Sequence, residues 1–309
     1  MSAANTMYTS DDPRSKLTSG SAVSGGAPAA TGFGPSHYVM FGSTPPQIDD
    51  ESGQTWFGRG QNFVVAYTRA KPGAVFERKG QVDEYVLLIE DRDVPAVIAA
   101  NGQVEQVPGY AIVIVPPGES SITLPEGGEI VRLFSRENGD VAALAANAAG
   151  YAVQQPNIPA YQTWPEPPGG YRIRPYSLDV PAQPGRFGRI WRCTTFMVNV
   201  FEPDGPRDTT KLSPHFHDDF EQCSLALGGS YVHHLRWPWT ANQAEWRDDE
   251  HMVCPAPSIA VIPPKSIHTS ASIAPQDNRL VDVFAPPRRD FSQMEGWVLN
   301  ADDYPMPEA

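Results

Sequence analysis

Between Ser213 and Gly229 the chain reads SPHFHDDFEQCSLALGG, which sets His215, His217, Glu221 and Gly228 at H-x-H-x3-E-x6-G. Side chains of an extended strand alternate between its two faces, so the odd positions 215, 217 and 221 point the same way. Along the strand that opens at Glu221, Cys223, Leu225 and Leu227 share its face, while Gln222, Ser224 and Ala226 take the other. Glu221 is therefore expected on the apolar, inward side, where a carboxylate needs a cation, a donor or a proton. The two histidines and a later one, His268 in VIPPKSIHTS, would supply the remaining ligands of a divalent metal. Asp218 and Asp219 are rival carboxylates, Asp219 with the same parity. Glu221 is preferred because it begins the regular strand, whereas the aspartates occupy the turn before it.

Nitrogen and oxygen donors without thiolate suit Fe(II), Mn(II), Ni(II), Cu(II) or Zn(II), so the ligand types alone do not choose the metal. Four side chains around a five- or six-coordinate ion leave room for water, substrate or O2. In the next strand, SYVHHLRW, the more apolar set is Tyr231, His233, Leu235 and Trp237. That set should face inward, making Tyr231 and His233 the candidate catalytic groups, with His233 a proton shuttle near its ordinary pKa of ~6.5. Trp237, Trp239 and Trp246, in the loop RWPWTANQAEWRDDEH, are candidates for a lid.

Positioning these groups requires β-structure. With 32 Pro and 26 Gly in 309 residues and alternating β-branched stretches between them, a helical bundle is excluded, and 40% apolar residues suffice for two cores. Strands are expected at Asn62–Tyr67, Tyr85–Glu90, Ala96–Ala99, Ala111–Val115 and Glu129–Phe134, then at Ile190–Phe201, Glu221–Leu227, Ser230–Arg236, Ile259–Ile262 and Arg279–Phe284. DVAALAANAAG (140–150) reads as a helix with Asp140 as N-cap and Gly150 past its end. A net charge of −13 argues against nucleic acid or an anionic membrane as partner. Cys193, Cys223 and Cys254 form no CxxC pair and read as reduced core residues. The expected partner is a small molecule, with a possible homo-oligomer. With no secretory leader pattern and no run near the ~18 apolar residues of a membrane span, cytoplasmic is the expected location.

The two halves share a frame. NFVVAYTRAKPG (62–73) lies beside TFMVNVFEPDGP (195–206), VDEYVLLIED (82–91) beside DFEQCSLALG (219–228), and IVIVPPGESS (112–121) beside SIAVIPPKSIH (258–268). This is an internal duplication of a β-unit. HFHDDFEQCSLALG and IPPKSIHTS resemble the two motifs of the cupin superfamily, and the duplication resembles a bicupin. The resemblance implies an all-β fold of two cupin (double-stranded β-helix, jelly-roll) barrels joined by a Pro-rich connector. The expected layout is a disordered or draped arm over 1–35, a metal-free barrel over 36–137, a short helix and connector over 138–186, and a metal-binding barrel with its tail over 187–309. Alignment of the repeats puts Arg78, Gly80, Glu84 and Ser121 where His215, His217, Glu221 and His268 stand, so the first barrel should bind no metal, and an Arg78–Glu84 ion pair could fill the space. The resemblance implies one divalent metal per chain, with Fe(II) favoured. The leading expectation is an oxidoreductase, a dioxygenase cleaving a small aromatic or dicarbonyl compound with O2. The alternatives are a redox-neutral isomerase, lyase or decarboxylase on a small hydroxy or keto acid or sugar, and a non-catalytic small-molecule-binding cupin.

Overall fold

The structure is a computed structural model that describes residues 33–308. Of the arm expected over 1–35, only the last three residues fall within them. The first half contains β1 (His37–Met40), β2 (Ile48–Asp50), β3 (Gly53–Arg59), β4 (Phe63–Ala70), β5 (Ala74–Gln81), β6 (Tyr85–Ile89), β7 (Ala96–Ala100), β8 (Gln103–Val107), β9 (Ala111–Val115), β10 (Gly118–Leu124), β11 (Gly128–Ser135) and β12 (Arg174–Ser177). The second contains β13 (Arg189–Arg192), β14 (Met197–Val200), β15 (Glu221–Gly228), β16 (Ser230–Arg236), β17 (Glu250–Pro255), β18 (Ser258–Ile262), β19 (Ile267–Ser272) and β20 (Arg279–Ala285). Four sheets result, two to a barrel. The first barrel pairs a large sheet, β12-β9-β6-β11-β4-β3-β2, with β5-β10-β7-β8; the second pairs β1-β18-β15-β20-β14-β13 with β17-β16-β19.

The runs YVLLI, AIVIV and SIAVI are buried at every position, which requires cover on both faces of a strand. In β4 and β6, Val64, Ala66, Tyr85 and Leu87 close the first barrel with Ile98 and Ile122 of the small sheet. Their alternates, Val65, Tyr67, Val86 and Leu88, leave the barrel and meet Val198, Cys223, Leu225, Val261 and Val283 of the second large sheet. The two large sheets thus stack into a shared core between the barrels. Each fully buried Val or Leu there is worth about 1.5–3 kcal/mol relative to exposure.

Two exchanges tie the halves further. β1, expected in the first barrel, instead pairs with β18 of the second, and β12 of the connector pairs with β9 of the first. Two buried carboxylates reach across in the same reciprocal way. Glu84 accepts hydrogen bonds from Thr194 N (3.2 Å), Thr194 Oγ1 (2.9 Å) and Tyr304 Oη (2.6 Å), while Glu221 accepts from Gln61 N (2.8 Å) and Asn62 N (3.1 Å). The expected Arg78–Glu84 pair does not form, because Arg78 is held by Asp140 and Gln81.

Other local expectations shift. The helix is only α1 (Gly139–Leu144), followed by a short 3-10 turn at Ala148–Tyr151, because Asn147 uses its side chain to grip the N–H and C=O of Arg59. Ile190–Phe201 is a hairpin of β13 and β14, closed where Cys193 N donates to Phe196 O (2.9 Å). All three cysteines are free and buried. No helix among the described residues is long and apolar enough to cross a membrane.

Candidate functional site

The long loop between β14 and β15 runs back onto β19, where His215 and His268 form an isolated antiparallel bridge, N to O at 3.0 and 2.7 Å. Their rings lie side by side, 4.4 Å between centroids, and His217, two residues on, brings its ring to 5.0 Å from that of His268 and 6.4 Å from that of His215. Nδ1 of His215, His217 and His268 sits 3.0 Å from the backbone carbonyl of Ser213, Phe220 and Ser266 respectively. A carbonyl only accepts, so Nδ1 carries the hydrogen and the neutral ring presents its lone pair at Nε2. That is the tautomer through which a histidine held from behind ligates a metal.

Glu221 does not join them. It faces the core between the barrels, where burial raises its carboxyl to about 7 in spite of the two backbone N–H donors. The parity of β15 is the reverse of the one expected: Gln222 and Ser224 face the barrel interior, and Cys223 and Leu225 belong to the inter-barrel core. Gln222 Oε1 lies 3.1 Å from His217 Nε2, Gln222 Nε2 donates to Ser224 Oγ (3.2 Å), and Ser224 Oγ donates to Asp282 Oδ1 (2.7 Å). Asp219, the other carboxylate of matching parity, is exposed to solvent, and its pKa is raised by partial desolvation, with Asp290 adding to the rise.

This chain of groups tests whether a cation fits. With Nδ1–H directed at Phe220 O, a neutral His217 turns its Nε2 lone pair toward the carbonyl oxygen of Gln222. Burial holds the His217 pKa well below its ordinary value, so a second ring proton is not available at neutral pH. Turning the amide over, an assignment made from the network, moves the same conflict to Ser224, whose proton is committed to Asp282. A cation ligated by both His217 Nε2 and Gln222 Oε1 removes the conflict, and the donor set fits. Among the described residues no three His, Cys, Asp or Glu side chains stand ready-made as a metal site, and an amide occupies the place where a carboxylate was expected.

A cavity of about 290 Å³ opens beside the histidines. His215, His268, Gln222, Ser224, Asp282 and Arg207 line it, with Tyr231 on its wall and Phe187, Phe201 and Leu280 as its apolar share. Tyr231 therefore reaches the cavity as expected of its face. His233 does not line it: fully buried, it bonds Ser270 Oγ through Nδ1 (2.8 Å), and desolvation lowers its pKa to about 3. A group that stays neutral throughout the working range is a poor proton shuttle. The lid is not observed either. Trp237 is buried against Leu235 and Ile262, and Trp239 and Trp246 stack on each other at 4.8 Å away from the cavity lining.

In the first barrel Arg78 pairs in register with Ser120, as His215 does with His268, so Ser120 rather than Ser121 is the counterpart of His268. The one-residue difference comes from a bulge between Gly118 and Ser120. Gln222, Ser224, Asp282 and Arg207 are the site residues that sequence reasoning missed. For the first three the signal was present: isolated polar residues on neighbouring apolar strands, Ser224 opposite Asp282; Arg207, in the loop before β15, carried none.

No family model and no curated protein matches the sequence. Among solved structures, the chain is similar to oxalate decarboxylase from Bacillus subtilis at pH 4.6, with 15% identity over 83% of this chain and 80% of that one and a TM-score of 0.54. It is also similar to a formate complex of oxalate decarboxylase from Lactobacillus farciminis (15% identity, 81% and 86% covered, TM-score 0.53). A third likeness is to protein Ylba from E. coli (11% identity, 84% and 94% covered, TM-score 0.52). At such identities the likeness establishes the fold, an all-β duplicated cupin.

Proposed function

We propose that the second barrel is a metal-dependent, redox-neutral enzyme site, a lyase or isomerase acting on a small hydroxy or keto acid. The observation that carries this reading is the cluster of three histidines of one tautomer, with Gln222 Oε1 against His217 Nε2, at the edge of a cavity walled by hydrogen-bonding side chains. His215, His217, His268 and Gln222 would hold one divalent ion. When bound, it supplies Lewis acidity to a substrate carbonyl or carboxylate.

A neutral amide in place of a carboxylate leaves the full double charge of the ion uncompensated by its ligands, which favours an anionic substrate. Arg207, fixed by donating to Ser213 Oγ (2.6 Å) and Ser270 O (2.9 Å), orients the negative end of that substrate. Burial raises the Tyr231 hydroxyl above its ordinary range, so it keeps its proton and donates from the wall. Asp282, on the cavity lining and accepting from Ser224 Oγ, is the group that takes up or returns a proton. The solved relatives named above as oxalate decarboxylases, one of them with formate, are by their names proteins of small carboxylates, which accords with this substrate class.

A dioxygenase on an aromatic compound is the weaker reading, because the likeness to proteins named as oxalate decarboxylases lends it no support. The test is elemental analysis of protein purified without chelator, followed by turnover of a panel of small hydroxy, keto and dicarboxylic acids with and without O2. Metal at one equivalent and oxygen-independent turnover are expected. Stoichiometric O2 consumption with catechols or diketones would restore the dioxygenase, and a metal-free protein that only binds its ligand would make it a binding cupin.

A further inference from the structure

The first barrel, stripped of histidines, holds a different unexplained charge. Arg132 on β11 is 8% exposed, and its guanidinium lies in a second cavity, of about 270 Å³, between the two sheets of that barrel. Its Nη2 donates to Thr68 Oγ1 (3.2 Å), its plane lies over the Phe76 ring at 4.4 Å, and its enclosed Nε has no hydrogen-bond partner. No carboxylate among the described residues is paired with it. The three acids at this cavity are otherwise placed: Asp140 is held by Arg78, Glu77 is exposed beside Lys79 at 3.6 Å, and Asp50 is exposed and accepts from Ser52 N. Burial lowers the Arg132 pKa to about 10, with Tyr85 and Asp50 opposing the fall and Arg78 adding to it.

A buried, unpaired guanidinium is costly, and a site that keeps one is a functional candidate. The register sharpens the point. Arg132 sits opposite Ala66 and Leu87, and at the matching place in the second barrel Asp282 sits opposite Asn199 and Ser224. The same interior position thus carries opposite charges in the two barrels. Around Arg132 the lining is mixed, and Ile48, Phe57, Phe76, Val141 and Leu144 supply its apolar share.

We propose that the first barrel is a binding site for a small carboxylate with an apolar body, whose carboxylate pairs with Arg132 while its body packs against Phe76 and Phe57. Planar carboxylates match the guanidinium fork, and its cavity-facing edge supplies the donors. The site is separate from the histidine cluster and stands whether or not that cluster holds a metal.

Binding is measured by isothermal titration calorimetry on the whole chain with benzoate, with benzamide as its uncharged isostere and with inorganic phosphate. Benzoate should bind at one site per chain, and benzamide and phosphate should bind at least tenfold more weakly. Arg132→Met should weaken benzoate tenfold or more without lowering the melting temperature, and Arg132→Lys should retain part of the affinity. His217→Ala should leave benzoate binding in place, which separates this site from the histidine cluster. The inference is overturned by absent benzoate binding, by equal affinity for benzamide, by preference for phosphate, by unchanged affinity in Arg132→Met, or by loss in His217→Ala alone. Should Arg132→Met fail to fold, unchanged affinity in Arg132→Lys together with equal benzamide binding would overturn it as well.

Discussion

The two barrels share one frame and differ in what fills it. In the first, the interior is mostly apolar around the charge of Arg132, with Tyr85 stacked on Phe134 at 5.1 Å and its hydroxyl 3.0 Å from Ser120 Oγ, at the places that Gln222 and His268 hold in the second. In the second, the interior carries Gln222, Ser224, Asp282 and three imidazoles, and apolar residues are displaced to the far side of the large sheet. The faces that meet between the barrels are equally apolar in both. A duplicated barrel can therefore change its chemistry without disturbing its assembly, since the inside of each barrel and the surface joining them lie on opposite faces of the same strands.

The sharpest way to break this comparison is His217→Ala. It should abolish most metal retention and lower activity by on the order of 100-fold or more, whereas Arg78→Ala at the matching side of the first barrel should leave metal content unchanged. Equal losses, measured by elemental analysis, would mean that both barrels hold metal. Next in size is the contrast between neighbours on β15. Gln222→Ala should reduce metal-dependent activity about 10 to 100-fold with the fold intact, while Glu221→Gln should keep the metal and cost about 1–3 kcal/mol of stability by leaving a backbone N–H without its acceptor. Metal lost from the Glu221→Gln protein would return that residue to the ligand set.

A smaller effect concerns Glu84. Burial raises its carboxyl above the ordinary range, with Tyr304 and Thr194 opposing the rise. The folded protein holds this proton to higher pH than the unfolded chain does, so the resulting stability is complete below the ordinary pKa of ~4.3 and is lost as pH climbs through the raised folded value. Over that interval the wild-type melting temperature should fall relative to Glu84→Gln, whose amide does not titrate. Parallel curves would show an unperturbed carboxyl. Least of all should change in Trp239→Ala: this side chain is 78% exposed and touches Trp246 rather than the cavity, so steady-state rates should stay within about twofold. A larger loss would reinstate the lid.

What was legible in the residues was local. His215, His217 and His268 stand together in the fold, and the repeated strand ending in Pro-Pro marks corresponding strands, β9 and β18. Parity was not legible, because both faces of β15 are buried and the one facing the other barrel is the more apolar; the rule that apolar means inward then selects the wrong side, and with it Glu221. The hairpin at 193–196 was hidden because CTTF contains neither Gly nor Pro. β5 was missed because its exposed alternation is written in Glu, Arg, Lys and Gly, which carry little strand preference.

The exchange of β1 and β12 bears on how the chain comes together in time. During synthesis β1 emerges first, yet its partner β18 belongs to the last third of the chain, where His37 meets Val261. Until then the first barrel can close only on itself, and β1 remains an unsatisfied edge available to other chains. Pairings of such long sequence separation carry a large loop-closure cost, which slows folding in general. A cut through the connector would leave each half with a strand that belongs to its neighbour, so the molecule is a single cooperative object written as two repeats.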